Sequence, residues 1–160
     1  MSNSDFSEVL AKIPYGVSVV TMGRGGAKVE NGLTVSWMSQ VSFNPPMLMV
    51  AVDKLHYSLD LLRSTKNFCV NLLGEDQGPL AGRFAKQATT GQDKLEDVAQ
   101  RPADSGAAIL TDSVAYFDCE VVSMVEAGDH MLVVGRVDDA AVLKDRAAMT
   151  SASGLRYRKR

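Results

Sequence analysis

Residues 31–43 read NGLTVSWMSQVSF and run directly into Asn44-Pro45-Pro46. Every second residue falls on one side of an extended chain. Val35, Trp37, Val41 and Phe43 share one side, interrupted by Ser39, while Thr34, Ser36, Gln40 and Ser42 share the other, with Met38 among them. A period of two over this length predicts a strand. Asn31-Gly32 is a turn dipeptide that adopts positive φ cheaply, so it launches the strand. Pro45 and Pro46 have no N–H for a ladder, so the strand stops or reaches an edge there.

Outward from this stretch the chain reads as hairpins. Upstream, Asp5 and Glu8 have capping-box spacing, and Phe6, Val9, Leu10 and Ile13 form an apolar stripe that Pro14 ends, which predicts a short helix. GVSVVTMGR (16–24) is a strand and GRGG (23–26) a turn. Downstream, the continuous apolar run MLMVAVD (47–53) predicts a strand buried on both faces. Leu55, Leu59 and Leu62 then repeat at helical spacing. NFCVNLL (67–73) alternates as a strand. Residues 74–102 turn polar, with two helix-like pieces, PLAGRFAKQ and DKLEDVAQ, predicted to lie outside the sheet. AAILT (107–111) is a short strand. Two long strands, SVAYFDCEVVSMVEA and DHMLVVGRVDDAAVL, flank a Gly128-Asp129 turn. Hairpin order with segregated helices predicts a mainly β fold with helical additions, an antiparallel barrel in one domain over 1–160. The segment 74–102 is its excursion and 145–160 its C-terminal tail.

Composition narrows the function. The chain has 160 residues, of which 46% are hydrophobic and 22% charged, a balance suited to one soluble globular domain with a real core. A net charge of −2 steers it toward neither nucleic acid nor an anionic membrane. No apolar run reaches membrane-spanning length and the start carries no signal-peptide pattern, so a cytoplasmic location is expected. Cys69 and Cys119 stand far apart in strand-like runs with no CxxC, which predicts buried thiols in a reducing compartment. Two isolated histidines, His56 and His130, supply neither a metal cluster nor, without a GxSxG elbow, a hydrolase triad. GRGG opens a hairpin rather than a helix and is no dinucleotide fingerprint.

The hydroxyl-rich side of 31–43 is then the feature that needs a partner. Ser and Thr hydroxyls beside backbone N–H groups make a neutral cradle for a phosphate or the polar edge of a ring. Shortly after, DKLHYS (53–58) sits where a strand meets a helix, and a helix start favours anions. Lys54, His56, Tyr57 and Ser58 cluster there. The rival reading is a solvent face on an edge strand and an ordinary helix cap.

NGLTVSWMSQVSFNPPMLMVAV (31–52) resembles the signature of the flavin reductase-like, FMN-binding split-barrel family, in which N-x-x-T-x-S-x-x-(S/T)-x-V-S leads through P-P into an apolar strand. Trp after the Ser is most like the flavoredoxin branch. His56-Tyr57-Ser58 before a helix, NFCVNLL, AGRFAK (81–86) and GDHMLVVGRV (128–137) match further family segments in the same order, so the resemblance runs from Ile13 to about Leu143. It implies a six-stranded Greek-key split barrel that forms a homodimer, with FMN, or FAD, at or near the interface. Thr34, Ser36, Trp37 and Ser39, with Val35 and Met38 between them, would meet the isoalloxazine edge and ribityl chain. Lys54, His56, Tyr57 and Ser58 would hold the phosphate end, and Phe84 and Lys86 would approach from the excursion. His130 would stand near the nicotinamide or the reactive face, as the catalytic candidate. The implied activity is an oxidoreductase taking electrons from NAD(P)H or a reduced protein. Its acceptor would be a partner monooxygenase, free flavin, an iron chelate or a redox protein. A non-catalytic flavin-binding barrel is the alternative. The tail MTSASGLRYRKR departs from the family pattern, with Leu155 and Tyr157 as its only echoes.

Overall fold

The computed structural model describes residues 4–23, 31–87 and 93–153. A helix α1 (Ser4–Leu10) precedes strands β1 (Ser18–Met22), β2 (Asn31–Val35), β3 (Met38–Phe43) and β4 (Pro46–Asp53). Helix α2 (Ser58–Thr65) leads to β5 (Asn67–Leu72), then α3 (Gly78–Ala85), β6 (Gln100–Pro102), β7 (Ala108–Leu110) and the long hairpin β8 (Ala115–Ala127) and β9 (His130–Val142).

One antiparallel sheet holds seven of the strands in the order β2-β1-β5-β8-β9-β4-β3. Its two outermost strands, β2 and β3, are consecutive in the chain and joined only by Ser36 and Trp37. Three peptide steps reach at most about 11 Å, so the sheet has to roll until its edges meet at that corner. The edges do not pair with each other, which makes the barrel a split one. The fold class expected from the sequence is the observed one, but the strand count differs. The single strand predicted over 31–43 is two, because the chain turns the corner at Ser36-Trp37. The short AAILT strand leaves the barrel to pair with β6.

The interior follows from the alternation. Val20, Leu33, Val35, Val50, Val52, Phe68, Val70 and Val133 fill the barrel, closed by Leu59 and Leu62 of α2. A second cluster holds Ala81 and Phe84 of α3 against Val17, Val19 and Leu110. The segment after β9 is stitched between β1 and β5: Val17 N–H donates to Met149 O at 3.0 Å and Met149 N–H to Leu73 O at 2.8 Å.

Several expectations need correction. β4 is buried on one face only: Leu48, Val50 and Val52 point inward, while Met47, Met49 and Ala51 stay half-buried on the outer face. Of the predicted apolar face in 31–43 only Val35 is interior; Trp37, Val41 and Phe43 are 44%, 50% and 89% exposed. The corner and a bulge between Gln40 and Ser42 shift the register, so one alternation cannot run through the whole stretch. The helix expected from the stripe Phe6, Val9, Leu10 and Ile13 forms, and all four side chains are exposed. DKLEDVAQ forms turns rather than a helix, with Asp97 at φ 61°. The GRGG turn lies mostly, and the Leu155 and Tyr157 tail wholly, outside the described residues.

Gly135 is a packing requirement. An added Cβ there would lie 2.5 Å from Phe68 Cζ and 2.8 Å from Cys119 Cβ. Gly135→Ala is expected to cost about 1–3 kcal/mol through overpacking, read as a lower urea midpoint at unchanged slope. The two thiols are free and buried. Burial, aided by Asp118, pushes Cys69 up strongly and Cys119 up to about 12. The fold therefore holds these protons more tightly than the unfolded chain does, and stability falls as pH rises above about 8.5. Cys119→Ala should flatten that alkaline decline in pH-dependent unfolding.

Candidate functional site

The corner forced by the Ser36-Trp37 link gathers most of the candidate residues at one end of the barrel. Thr34 is half-buried, and its hydroxyl donates to Ala81 O of α3 at 2.6 Å. Two residues earlier, Gly32 leaves room for the Phe84 ring, whose atoms would sit 2.7 Å from an added Cβ. Lys94, only 4% exposed, donates from Nζ to Gly32 O and Phe84 O, both at 3.3 Å. Strand β2 and helix α3 are therefore sewn into one wall.

The donor set at this wall is asymmetric. The Thr34 proton is committed to Ala81 O, so Thr34 has only lone pairs left to offer a ligand. Ser36 is 4% exposed and its hydroxyl bonds none of the described residues. A hydroxyl with its donor and acceptor capacity unused is the kind of group a ligand completes. Trp37 accepts Ala51 N–H on its carbonyl at 2.9 Å, and its ring centroid lies 4.8 Å from that of His130, with planes at 43°. Met38 packs on the barrel core. Ser39 is exposed and its hydroxyl bonds Gln40 O.

The end of β4 brings up the second group. Asp53 pairs with His130 across the β4–β9 ladder, and its carboxylate accepts Leu55 N–H at 2.8 Å. Lys54 N–H donates to Asp129 O, and Lys54 Nζ lies 3.6 Å from Glu126. His56 Nδ1 accepts Ser58 N–H at 3.2 Å at the start of α2, and its ring stacks on Tyr57 at 5.4 Å. His130, 7% exposed, is held 2.7 Å from Asp129 Oδ1 through Nδ1. Trp37, Lys54, His56 and His130 are thus linked around Asp53.

Two expected positions differ. The Phe84 ring has no exposed surface and serves as the anchor beneath Gly32, so in this conformation it presents nothing to a ligand. The Ser58 side chain is fully buried, leaving Lys54, His56 and Tyr57 as the accessible side chains of that group. Lys86 is exposed at the end of α3. Lys94 and Asp129 did not stand out in the sequence. Lys94 lies in a stretch patterned like a solvated helix, and Asp129 reads only as a turn residue. Among the described residues no three His, Cys, Asp or Glu side chains group as metal ligands.

The two hydroxyls should separate experimentally. Thr34→Val removes a structural tie and is expected to cost about 1 kcal/mol of stability. Ser36→Ala should leave stability within about 0.5 kcal/mol. Denaturant unfolding of the two variants without ligand reads both.

Comparison with known proteins gives a consistent picture. The flavin reductase like domain family matches residues 10–159. A flavin reductase of Pseudomonas putida is 33% identical over 144 residues, covering 90% of this chain and 82% of that protein. Diflavin flavoprotein A 1 of Synechocystis is 35% identical over 143 residues; the chain spans only a quarter of the length of that relative. Among solved structures, the NADH:FAD oxidoreductase SgcE6 of Streptomyces globisporus C-1027, in complex with NAD and FAD fragments, superposes with a TM-score of 0.85 at 28% identity. That match covers 99% of this chain and 92% of SgcE6. The styrene monooxygenase flavin reductase of Pseudomonas putida S12 superposes at 0.76 and 28% identity, with 91% of each chain covered. With a split barrel, a hydroxyl-lined corner and a family match over nearly its whole length, this chain belongs to the flavin reductase-like family.

Proposed function

We propose that residues 1–160 act as one cytoplasmic domain that binds FMN, or FAD, and reduces it with NADH or NADPH for use by a second enzyme. The observation that carries this reading is the Ser36 hydroxyl. It is nearly buried and unbonded within the described residues, one residue from the exposed face of Trp37. An isoalloxazine edge, with its alternating carbonyls and N–H, fits one acceptor-only hydroxyl at Thr34 beside one uncommitted hydroxyl at Ser36.

When bound, the flavin supplies two-electron chemistry by accepting a hydride from a nicotinamide. The chain's own residues do the rest. Thr34 and Ser36 orient the ring edge, with backbone groups of Val35, Met38 and Ser39 beside them. Trp37 and His130 cover one side of the ring and keep water from it. Lys54, with His56 and Tyr57, favours the anionic phosphate end, while Lys86 adds a cation beyond α3.

A second copy of the chain completes this reading. The outer face of β4 and β9 carries a half-buried apolar row in which Met49 pairs with Val134 and Ala51 with Leu132. Val41 and Phe43 of the neighbouring strand β3 are exposed as well. A homodimer would bury this row beside the flavin corner. One structural neighbour is the styrene monooxygenase flavin reductase, and another, BorF, is the flavin reductase component of a two-component tryptophan halogenase. BorF has a TM-score of 0.85 to this chain at 25% identity. A flavin-dependent oxygenase or halogenase is accordingly the class of enzyme that would consume the product here.

The test is an absorbance spectrum of the purified protein, repeated after anaerobic addition of NADH and then NADPH. A yellow species that sediments as two chains and bleaches with either nucleotide is expected. Ser36→Ala should weaken flavin binding by about 1–3 kcal/mol. A yellow protein that neither nucleotide bleaches would point instead to an electron carrier, and a colourless one that takes up no added flavin would overturn the reading.

A further inference from the structure

We propose that the two-stranded arm β6–β7 is a pH-sensitive flap, fixed to the barrel at its root and latched at its turn by Asp118. The inference lies outside the flavin corner and does not depend on what that corner binds. The root is held by neutral groups. The Thr21 hydroxyl donates to Ala108 O at 2.6 Å. The fully buried Asn71 amide donates to Ala108 O at 3.2 Å and accepts Leu110 N–H at 2.8 Å. Neither side chain changes charge with pH.

The turn of the arm, residues 103–107, is held differently. Asn67 Nδ2 donates to Ser105 O at 3.0 Å. Asp118 of β8 is 3% exposed; the Ser105 hydroxyl lies 2.5 Å from its Oδ1, and Ser105 N–H donates to its Oδ2 at 3.2 Å. Among the described residues Asp118 is the one ionisable side chain of the barrel that hydrogen-bonds the arm. The latch works in both charge states. Ionised, Asp118 accepts both bonds. Neutral, it donates from Oδ1 to the Ser105 oxygen and still accepts the N–H at Oδ2. The bonds survive protonation, and the cost of a buried charge is removed.

The surroundings set the sign. Burial, with Asp104 on the turn and Asp139 opposite on β9, raises Asp118 above its ordinary value and outweighs the Ser105 bonds that pull it down. Cys69, its ladder partner on β5, keeps its proton throughout the acid and neutral range. Tyr116 of β8 donates to Asp139 at 2.6 Å, and Arg101 of β6 lies over the Tyr116 ring at 5.3 Å. Lifting the turn would hydrate the Asp118 carboxylate and return it toward about 3.9. The closed arm therefore binds this proton more tightly than the open one. Closure is strongest below the raised value and weakens as pH climbs through it toward neutral. The arm packs Ala103, Ala107 and Ile109 on Cys69 and Tyr116, a cluster separate from the barrel core, so the turn can lift without emptying the barrel.

The experiment is native-state hydrogen exchange of the full chain without flavin, read by NMR from about pH 4.5 to about pH 7.5 and corrected for intrinsic exchange. Protection at the Ala103, Ser105 and Ala107 amides is expected to fall severalfold as pH rises, while that at Leu110, in the root, stays constant. Asp118→Asn imitates the neutral latch, donating through Nδ2 and accepting Ser105 N–H. It should hold the low-pH protection of the wild type at every pH. Ser105→Ala removes a bond that favours the ionised form, so its loss of protection should extend to higher pH. Turn amides whose protection is flat or rises with pH in the wild type would overturn the proposal. So would an Asp118→Asn protein that keeps the wild-type dependence, or a Leu110 amide that loosens in step with the turn.

Discussion

The two-residue link between β2 and β3 is the constraint on which the molecule depends. Neighbours in sequence, these strands are the most distant pair in the order of the sheet. A chain of that length cannot bridge an open seven-stranded sheet, so curvature follows from connectivity. The same link explains why the candidate site lies where it does. Side chains at a corner cannot all follow strand alternation, so Ser36 turns inward while Trp37 turns out beside His130. Closure of the barrel and assembly of the site are one event in the chain.

Much of the architecture was legible because it rests on short-range rules. The β8–β9 hairpin followed from two long alternating runs around Gly128-Asp129, and β1, β4, β5 and β7 from apolar runs between turn signals. The corner was not legible. Thr34 to Phe43 keeps a period of two almost without interruption, and nothing local in Ser36 or Trp37 breaks a strand. The bend comes from long-range pairing, β1 on β5 and β4 on β9, which no window of sequence contains. The two-sided burial read for β4 has a related cause. Periodicity shows that a face is apolar, not what covers it.

The candidate site was legible in its residue types and less so in their roles. The hydroxyls of Thr34 and Ser36 look equivalent in the sequence, yet one is bonded into the wall and the other is not. Phe84 reads as a ligand contact by resemblance and as a buried anchor by packing. Lys94 shows the limit most clearly. A lysine between Asp93 and Leu95 suggests a solvated face, whereas its amine lies inside the seam between β2 and α3. Taking an ammonium out of water is expensive. A helix end with unpaired carbonyls nevertheless gives that charge a place, because the Phe84 carbonyl sits in the last turn of α3.

Trp37 is the only tryptophan in the chain, and it stands at the corner, half exposed against His130. The intrinsic ultraviolet emission of this protein is therefore a local signal. It reports the solvent and ring contacts of one short link and carries no direct signal from α1 or the small β6–β7 sheet. Fluorescence and far-ultraviolet dichroism consequently follow different parts of the molecule. Where the corner loosens before the barrel opens, the two probes separate, and the gap between their curves measures how independently the corner can move.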